Sequence, residues 1–178
     1  MGSFFRWGFL PVWADPGQSR RPINARAEGL FDKPFFRQAA RSRRCLVPAQ
    51  GFFEWKRGDG GKRPFYLTNQ GDGPLAMAGI WEAARDGEPA CLAVVTCPAG
   101  PDVSPIHDRQ PVLIPRKRWD DWLAPGTDRE TLERVTRPSP TDSLRAWEVS
   151  RAVNDLSNDG QEMLRPVANG PARPSLLE

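Results

Sequence analysis

At 178 residues, 39% of them hydrophobic, the chain is long enough for one domain with a sizeable core. No apolar run approaches the roughly 18 residues of a membrane span, and Met1–Arg6 lacks the basic and apolar regions of a signal peptide, so a cytoplasmic protein with no membrane partner is expected. The net charge of +3 is unevenly spread: residues 1–63 hold 13 Lys/Arg against 5 Asp/Glu, a net of +8, and the remainder is net −5. Such asymmetry suits a basic face for a polyanion, although solvated charge alone also produces it.

The chain opens on Phe4-Phe5-Arg6-Trp7-Gly8-Phe9-Leu10-Pro11-Val12-Trp13. A folded domain seldom begins with so much apolar surface unless further chain covers it. Asp15-Pro16-Gly17 signals a turn before a polar loop and the segment Ile23-Asn24-Ala25-Arg26. A helix is expected from about Lys33 to Arg43, capped by Asp32, with Phe35, Phe36, Ala39 and Ala40 on its apolar face. Its other face and C-terminal end gather Arg37, Arg41, Arg43 and Arg44, where cations suit the helix dipole.

Strands follow in hairpin order. Cys45–Pro48 and Gly51–Lys56 precede the turn Gly58–Gly61 and the strand Pro64–Thr68; Leu75–Trp81 and Cys91–Thr96 flank a turn at Asp86-Gly87. After an apolar run at Pro111–Pro115 come a short helix at Lys117–Leu123 and a second, opened by the capping-box pattern at Thr127–Glu130 and running to about Val135. A last strand covers Ala146–Ser150, and from Ser157 the Gly/Pro/Asn-rich chain is expected to be loosely ordered. The elements predict an α+β protein with a mostly antiparallel, barrel-like sheet core and peripheral short helices. One domain is expected over 1–167, with a tail at 168–178.

Chemistry centres on Pro105-Ile106-His107-Asp108-Arg109-Gln110-Pro111, which holds the single histidine of the chain between two prolines. Histidine titrates near neutrality, and prolines that fix φ hold a loop residue in place. Glu54 lies among Phe52, Phe53 and Trp55, where desolvation would raise its pKa and make it an acid or base. Strand alternation equally allows it to face solvent. Asn24 and Arg26 would share a face of an extended segment, an amide and a guanidinium suited to sugar or phosphate oxygens. Trp7, Trp13, Phe35, Phe36, Phe52 and Trp55 alternate with arginines, as base stacking and phosphate neutralisation require, or else supply core. Three cysteines (Cys45, Cys91 and Cys97) and one histidine make neither a four-ligand zinc site nor a disulfide framework, so no metal and no cofactor are expected.

Six blocks then resemble one family in order along the chain: Arg6–Trp13, Ile23–Glu28, Arg44–Trp55, Ala78–Glu82, Pro105–Val112 and Val149–Asn154. They resemble the SOS-response-associated peptidase (SRAP) family. The resemblance implies a nucleoid-associated, monomeric sensor of abasic sites in single-stranded DNA that links itself to the open-chain sugar aldehyde and shields it from cleavage. The nucleophile it implies is an N-terminal cysteine whose amine and thiol close a thiazolidine ring. Carried over by motif, Asn24, Glu54 and His107 are the catalytic residues: Asn24 orients the N-terminal group or the sugar, Glu54 is the acid/base, and His107 exchanges the ring-opening proton. Arg6, Trp7, Arg26 and Arg109 are the DNA-binding residues.

This sequence departs from the family at position 2, which is Gly2, and several dozen residues expected ahead of Arg6-Trp7 are not in it. A Met-Cys start further upstream in the reading frame is the expectation. Two other readings are a non-covalent module for single-stranded or junction DNA, and a thiol peptidase pairing Cys45 with His107.

Overall fold

The computed structural model describes residues 4–85 and 87–167. Gly2, Asp86 of the expected turn and the tail at 168–178 lie outside the described residues. Among those described, the strands are β1 (Arg6–Trp7), β2 (Asn24–Arg26), β3 (Arg44–Ala49), β4 (Gly51–Lys56), β5 (Arg63–Asn69), β6 (Leu75–Glu82), β7 (Cys91–Pro98), β8 (Arg109–Pro111) and β9 (Leu144–Glu148). The helices are α1 (Arg37–Ser42), α2 (Trp119–Leu123) and α3 (Arg129–Val135). They belong to two units. One holds residues 4–48, 76–98 and 109–139; the other holds 49–75, 99–108 and 140–167.

The first unit is organised around β7. Its sequence, Cys-Leu-Ala-Val-Val-Thr-Cys-Pro, is a nearly unbroken apolar run, the signature of a strand covered on both faces. Such a strand can accept neighbours along both edges. β6 and β8 pair with it antiparallel, while β1 and β2 pair with it parallel. The core behind it includes Phe9, Ala25, Leu30, Ile80, Ala93, Val95, Val112 and Trp122, all of them fully or almost fully buried. Each large side chain removed from water there stabilises the fold by roughly 1.5–3 kcal/mol. Gly79 of β6 has to be glycine, since a Cβ would sit 2.7 Å from Cys45 Sγ and 3.0 Å from Val47 Cγ2.

The second unit carries a three-stranded antiparallel sheet in the order β4-β5-β9. Tyr66, Trp147 and Val149 form its small buried cluster, with Phe53, Val153 and Leu164 packed against it. The curled mixed sheet and few short helices make the protein α+β, as the sequence predicts.

Four local expectations change. The first helix starts at Arg37 rather than Lys33, because Lys33 to Phe36 form turns and the Asp32 carboxylate is engaged by Arg129 at 2.7 and 2.8 Å instead of capping. In α3 the cap is Asp128, whose side chain accepts from Thr131 N–H at 2.8 Å. Arg44 is a cation at the helix end, as expected, but a desolvated one. It is buried, donating to the carbonyls of Ala40, Arg41, Trp122 and Ala124, and so satisfies the carbonyls that α1 and α2 leave open at their C-termini. Residues 157–167 are ordered: Gln161–Leu164 make a 3₁₀ turn, and the Leu164 carbonyl accepts from the Trp147 indole at 2.8 Å.

Candidate active site

The second unit brings Glu54 and His107 together. β4 begins at Gly51 because a Cβ there would lie 2.4 Å from both the Leu67 carbonyl and the Tyr66 ring. That close approach seats β4 on β5 in the register that places Glu54 opposite Phe65. His107 ends a turn closed by hydrogen bonds from Val103 N–H and His107 N–H to the Gly100 and Val103 carbonyls, at 3.1 and 3.0 Å. Val103 is fully buried beneath it. The Asp102 carboxylate fastens the same turn by accepting from the backbone N–H groups of Asp142, Ser143 and Leu144 at 3.0, 2.9 and 2.9 Å.

His107 Nδ1 lies 3.6 Å from Glu54 Oε2 and 3.3 Å from Asp108 Oδ1. The first separation is too long for a hydrogen bond but well inside the range of charge coupling. Asp108 is solvated, with 88% of its side chain exposed, whereas Glu54 retains 20%. Burial pushes the Glu54 carboxyl above its ordinary value of 4.5; the His107 charge and the Trp55 backbone N–H pull against that rise. A carboxyl moved towards neutrality beside an imidazole can take a proton in one step and return one in the next.

The pair opens on a cleft of about 390 Å³ lined by Glu54, Trp55, Arg57, Lys62, His107 and Asn154. The Trp55 indole donates to Asn154 Oδ1 at 2.8 Å. An indole N–H only donates, so this contact fixes the amide orientation and leaves the Asn154 NH₂ as a donor. Arg57 and Lys62 are exposed and have no ion pair among the described residues, which suits an anionic substrate.

The remaining sequence-predicted residues belong to the first unit. Asn24 and Arg26 are both exposed on β2, with buried Ala25 between them, so they do share one face. Arg6 is half exposed and pairs with Glu88 at 3.3 Å. Trp7 leaves 60% of its surface open, with its indole donating to the Ile23 carbonyl at 2.7 Å. Arg109 is engaged by the Glu28 carboxylate, and it also donates to the Thr96 carbonyl and hydroxyl at 2.8 and 3.1 Å.

Neither Cys45 nor Cys97 is set up as a thiolate. Burial pushes the Cys45 thiol up to about 11, and that of Cys97 likewise to about 11, so both stay protonated at neutral pH. No three of the described His, Cys, Asp and Glu residues cluster as metal ligands.

Residues 2–156 match the family described as SOS response associated peptidase (SRAP). The chain belongs to this family. It is 37% identical over 166 residues to the abasic site processing protein YoqW of Bacillus subtilis, an alignment covering 89% of this chain and 74% of that protein. The abasic site processing protein HMCES of Gallus gallus is 30% identical over 196 residues, covering 93% of this chain and 57% of that one. A crystal structure of a Bacteroides thetaiotaomicron protein superposes with a TM-score of 0.84 at 24% identity, over 92% of this chain and 75% of the other, which shows a shared fold.

Sequence reasoning missed Asn154, Arg57 and Lys62. Asn154 closes the last of the six SRAP-like blocks and was legible as a block residue, though nothing in its spacing linked it to Trp55. Arg57 and Lys62 flank the Gly58–Gly61 turn, where exposed cations are ordinary.

Proposed function

We propose that this SRAP-family chain processes abasic sites, binding single-stranded DNA and moving the protons for covalent capture of the sugar aldehyde. The observation that supports this reading is the Glu54–His107 pair, 3.6 Å apart in a cleft flanked by two cations. An abasic sugar equilibrates between a closed hemiacetal and an open aldehyde. His107 takes the anomeric hydroxyl proton and returns a proton to the ring oxygen as the ring opens. As the amine nitrogen bonds to C1′, Glu54 accepts its proton and hands it through His107 to the carbonyl oxygen, giving a carbinolamine. Loss of water, with Glu54 as the proton donor, leaves an imine.

Where an N-terminal cysteine supplies that amine, its thiol adds to the imine carbon, the thiol proton moves to nitrogen, and a thiazolidine results. Residue 2 here is Gly2, so the ring-closing step is tested in a form given an N-terminal cysteine. Arg57 and Lys62 would hold the phosphates beside the lesion. On the other unit, exposed Arg26 and Trp7 offer a strand one charge and one stacking surface.

Incubation of that form with a single-stranded oligonucleotide bearing one abasic site tests the reading. It expects a protein–DNA species that survives denaturing electrophoresis and is missing with the intact oligonucleotide. Equal, fully reversible binding to both oligonucleotides would refute it.

A further inference from the structure

The second unit contains another cavity, larger than the Glu54–His107 cleft, at about 620 Å³ against about 390 Å³. Strand register separates Arg145 from Glu54. Across β4, β5 and β9, Gly51 faces Thr68 and Thr68 faces Arg145, while Phe53 faces Tyr66 and Tyr66 faces Trp147. These side chains therefore share one face of the three-stranded sheet. Glu54 pairs with Phe65 and belongs to the alternate set, on the opposite face.

The chemistry of the cavity is donor-rich. Arg145 and Arg165 both line it, and neither guanidinium has a hydrogen bond or ion pair among the described residues. Arg145 Nε is buried with no hydrogen-bond partner. Buried unpartnered donors are rare in folded proteins, and each calls for an acceptor. The Thr68 hydroxyl donates to the Gln50 carbonyl at 2.5 Å and does not accept from Arg145 Nε, which has no partner. The acidic residue of the lining is Asp72, which is exposed and forms no salt bridge with either arginine among the described residues. Tyr66 and Trp147, at 6% and 5% exposure, leave little ring surface open for a planar ring to stack on.

We propose that this cavity is a second ligand site that binds a phosphate group through the Arg145 and Arg165 guanidiniums. A planar fork of N–H donors matches a phosphate with two parallel hydrogen bonds, and a second arginine at the rim supplies the balancing charge. The phosphate belongs either to a nucleic-acid strand or to a free phosphomonoester. The site is independent of the Glu54–His107 chemistry and stands or falls separately from it.

Calorimetric titration of the full chain with inorganic phosphate, thymidine 5′-monophosphate and an unphosphorylated oligothymidine tests this. Saturable phosphate binding is expected, weakened about tenfold or more in Arg145→Met and in Arg165→Met, and unchanged in Arg20→Met, an exposed cation outside the lining. Arg165 is exposed, so its variant keeps the test valid if Arg145→Met fails to fold. Tighter binding of the oligothymidine than of the monophosphate, weakened by the same substitutions, identifies the strand as the source; the reverse order identifies a free phosphomonoester. No saturable heat at millimolar phosphate, or equal affinity in the wild type and both arginine variants, overturns the proposal.

Discussion

Two residues apart in sequence, His107 and Arg109 meet opposite surroundings. Arg109 is held by the Glu28 carboxylate and by both oxygens of Thr96, an arrangement that fixes a side chain in one place. His107 faces Glu54 at 3.6 Å, beyond hydrogen-bond range, on the wall of a cleft with two cations that have no ion pair among the described residues. The two acids they face respond in opposite directions. The Arg109 hydrogen bonds hold the Glu28 carboxyl below 4.5, whereas burial pushes that of Glu54 above it. One pair has the geometry of a structural clamp, and the other is the pair proposed to move protons. Sequence motifs weigh both residues equally; only partner geometry separates them.

The contrast is broken most severely by removing a proton carrier. His107→Ala or Glu54→Gln is expected to slow adduct formation at an abasic site about 10²-fold, with DNA affinity nearly unchanged; rates from quenched time courses and affinities from anisotropy check this. Removing the clamp should do the reverse. Arg109→Met is expected to cost about 1–3 kcal/mol of stability in urea unfolding, by deleting charge-assisted bonds and stranding the Glu28 and Thr96 acceptors. A crosslinking loss far beyond the unfolded fraction would instead make Arg109 part of the site.

A smaller effect lies in pH. A carboxyl whose folded pKa is raised binds its proton more tightly in the native state, so stability falls as pH rises above 4.5 through the folded value. Glu54→Gln should therefore melt higher than the wild type at neutral pH, with the gap closing as pH falls towards 4.5. Glu28 has the opposite sign: its contribution is present above 4.5 and is lost as pH falls through its depressed value. Half of its side chain is exposed, so solvent screens that contribution. The weakest test concerns the strand. Arg26→Ala should reduce single-strand affinity modestly and lower the slope of log K against log salt by about one unit.

Much of this arrangement was legible in the sequence, and the failures have physical reasons. β4 and β7 announce themselves because local apolar patterning sets them, and the Glu54 and His107 motifs stand out against apolar neighbours. The parallel pairing of β1 and β2 onto β7 was hidden because two- and three-residue strands carry almost no periodicity. The burial of Arg44 was hidden because a basic run does not show that two helix ends fold onto its guanidinium. The pairing of Arg109 with Glu28 was hidden because the two lie 81 positions apart in sequence. Asn154 was obscure for the same reason, lying 99 positions from the indole that orients it.

The central claim is that Glu54 and His107 act as one unit on the abasic-site aldehyde. A double-mutant cycle on the rate of adduct formation tests it most directly. Residues that serve one proton-transfer step lose their function together, so Glu54→Gln/His107→Ala should be about as slow as the worse single variant. Losses that multiply instead, to about 10⁴-fold, would show two independent groups and contradict the pair.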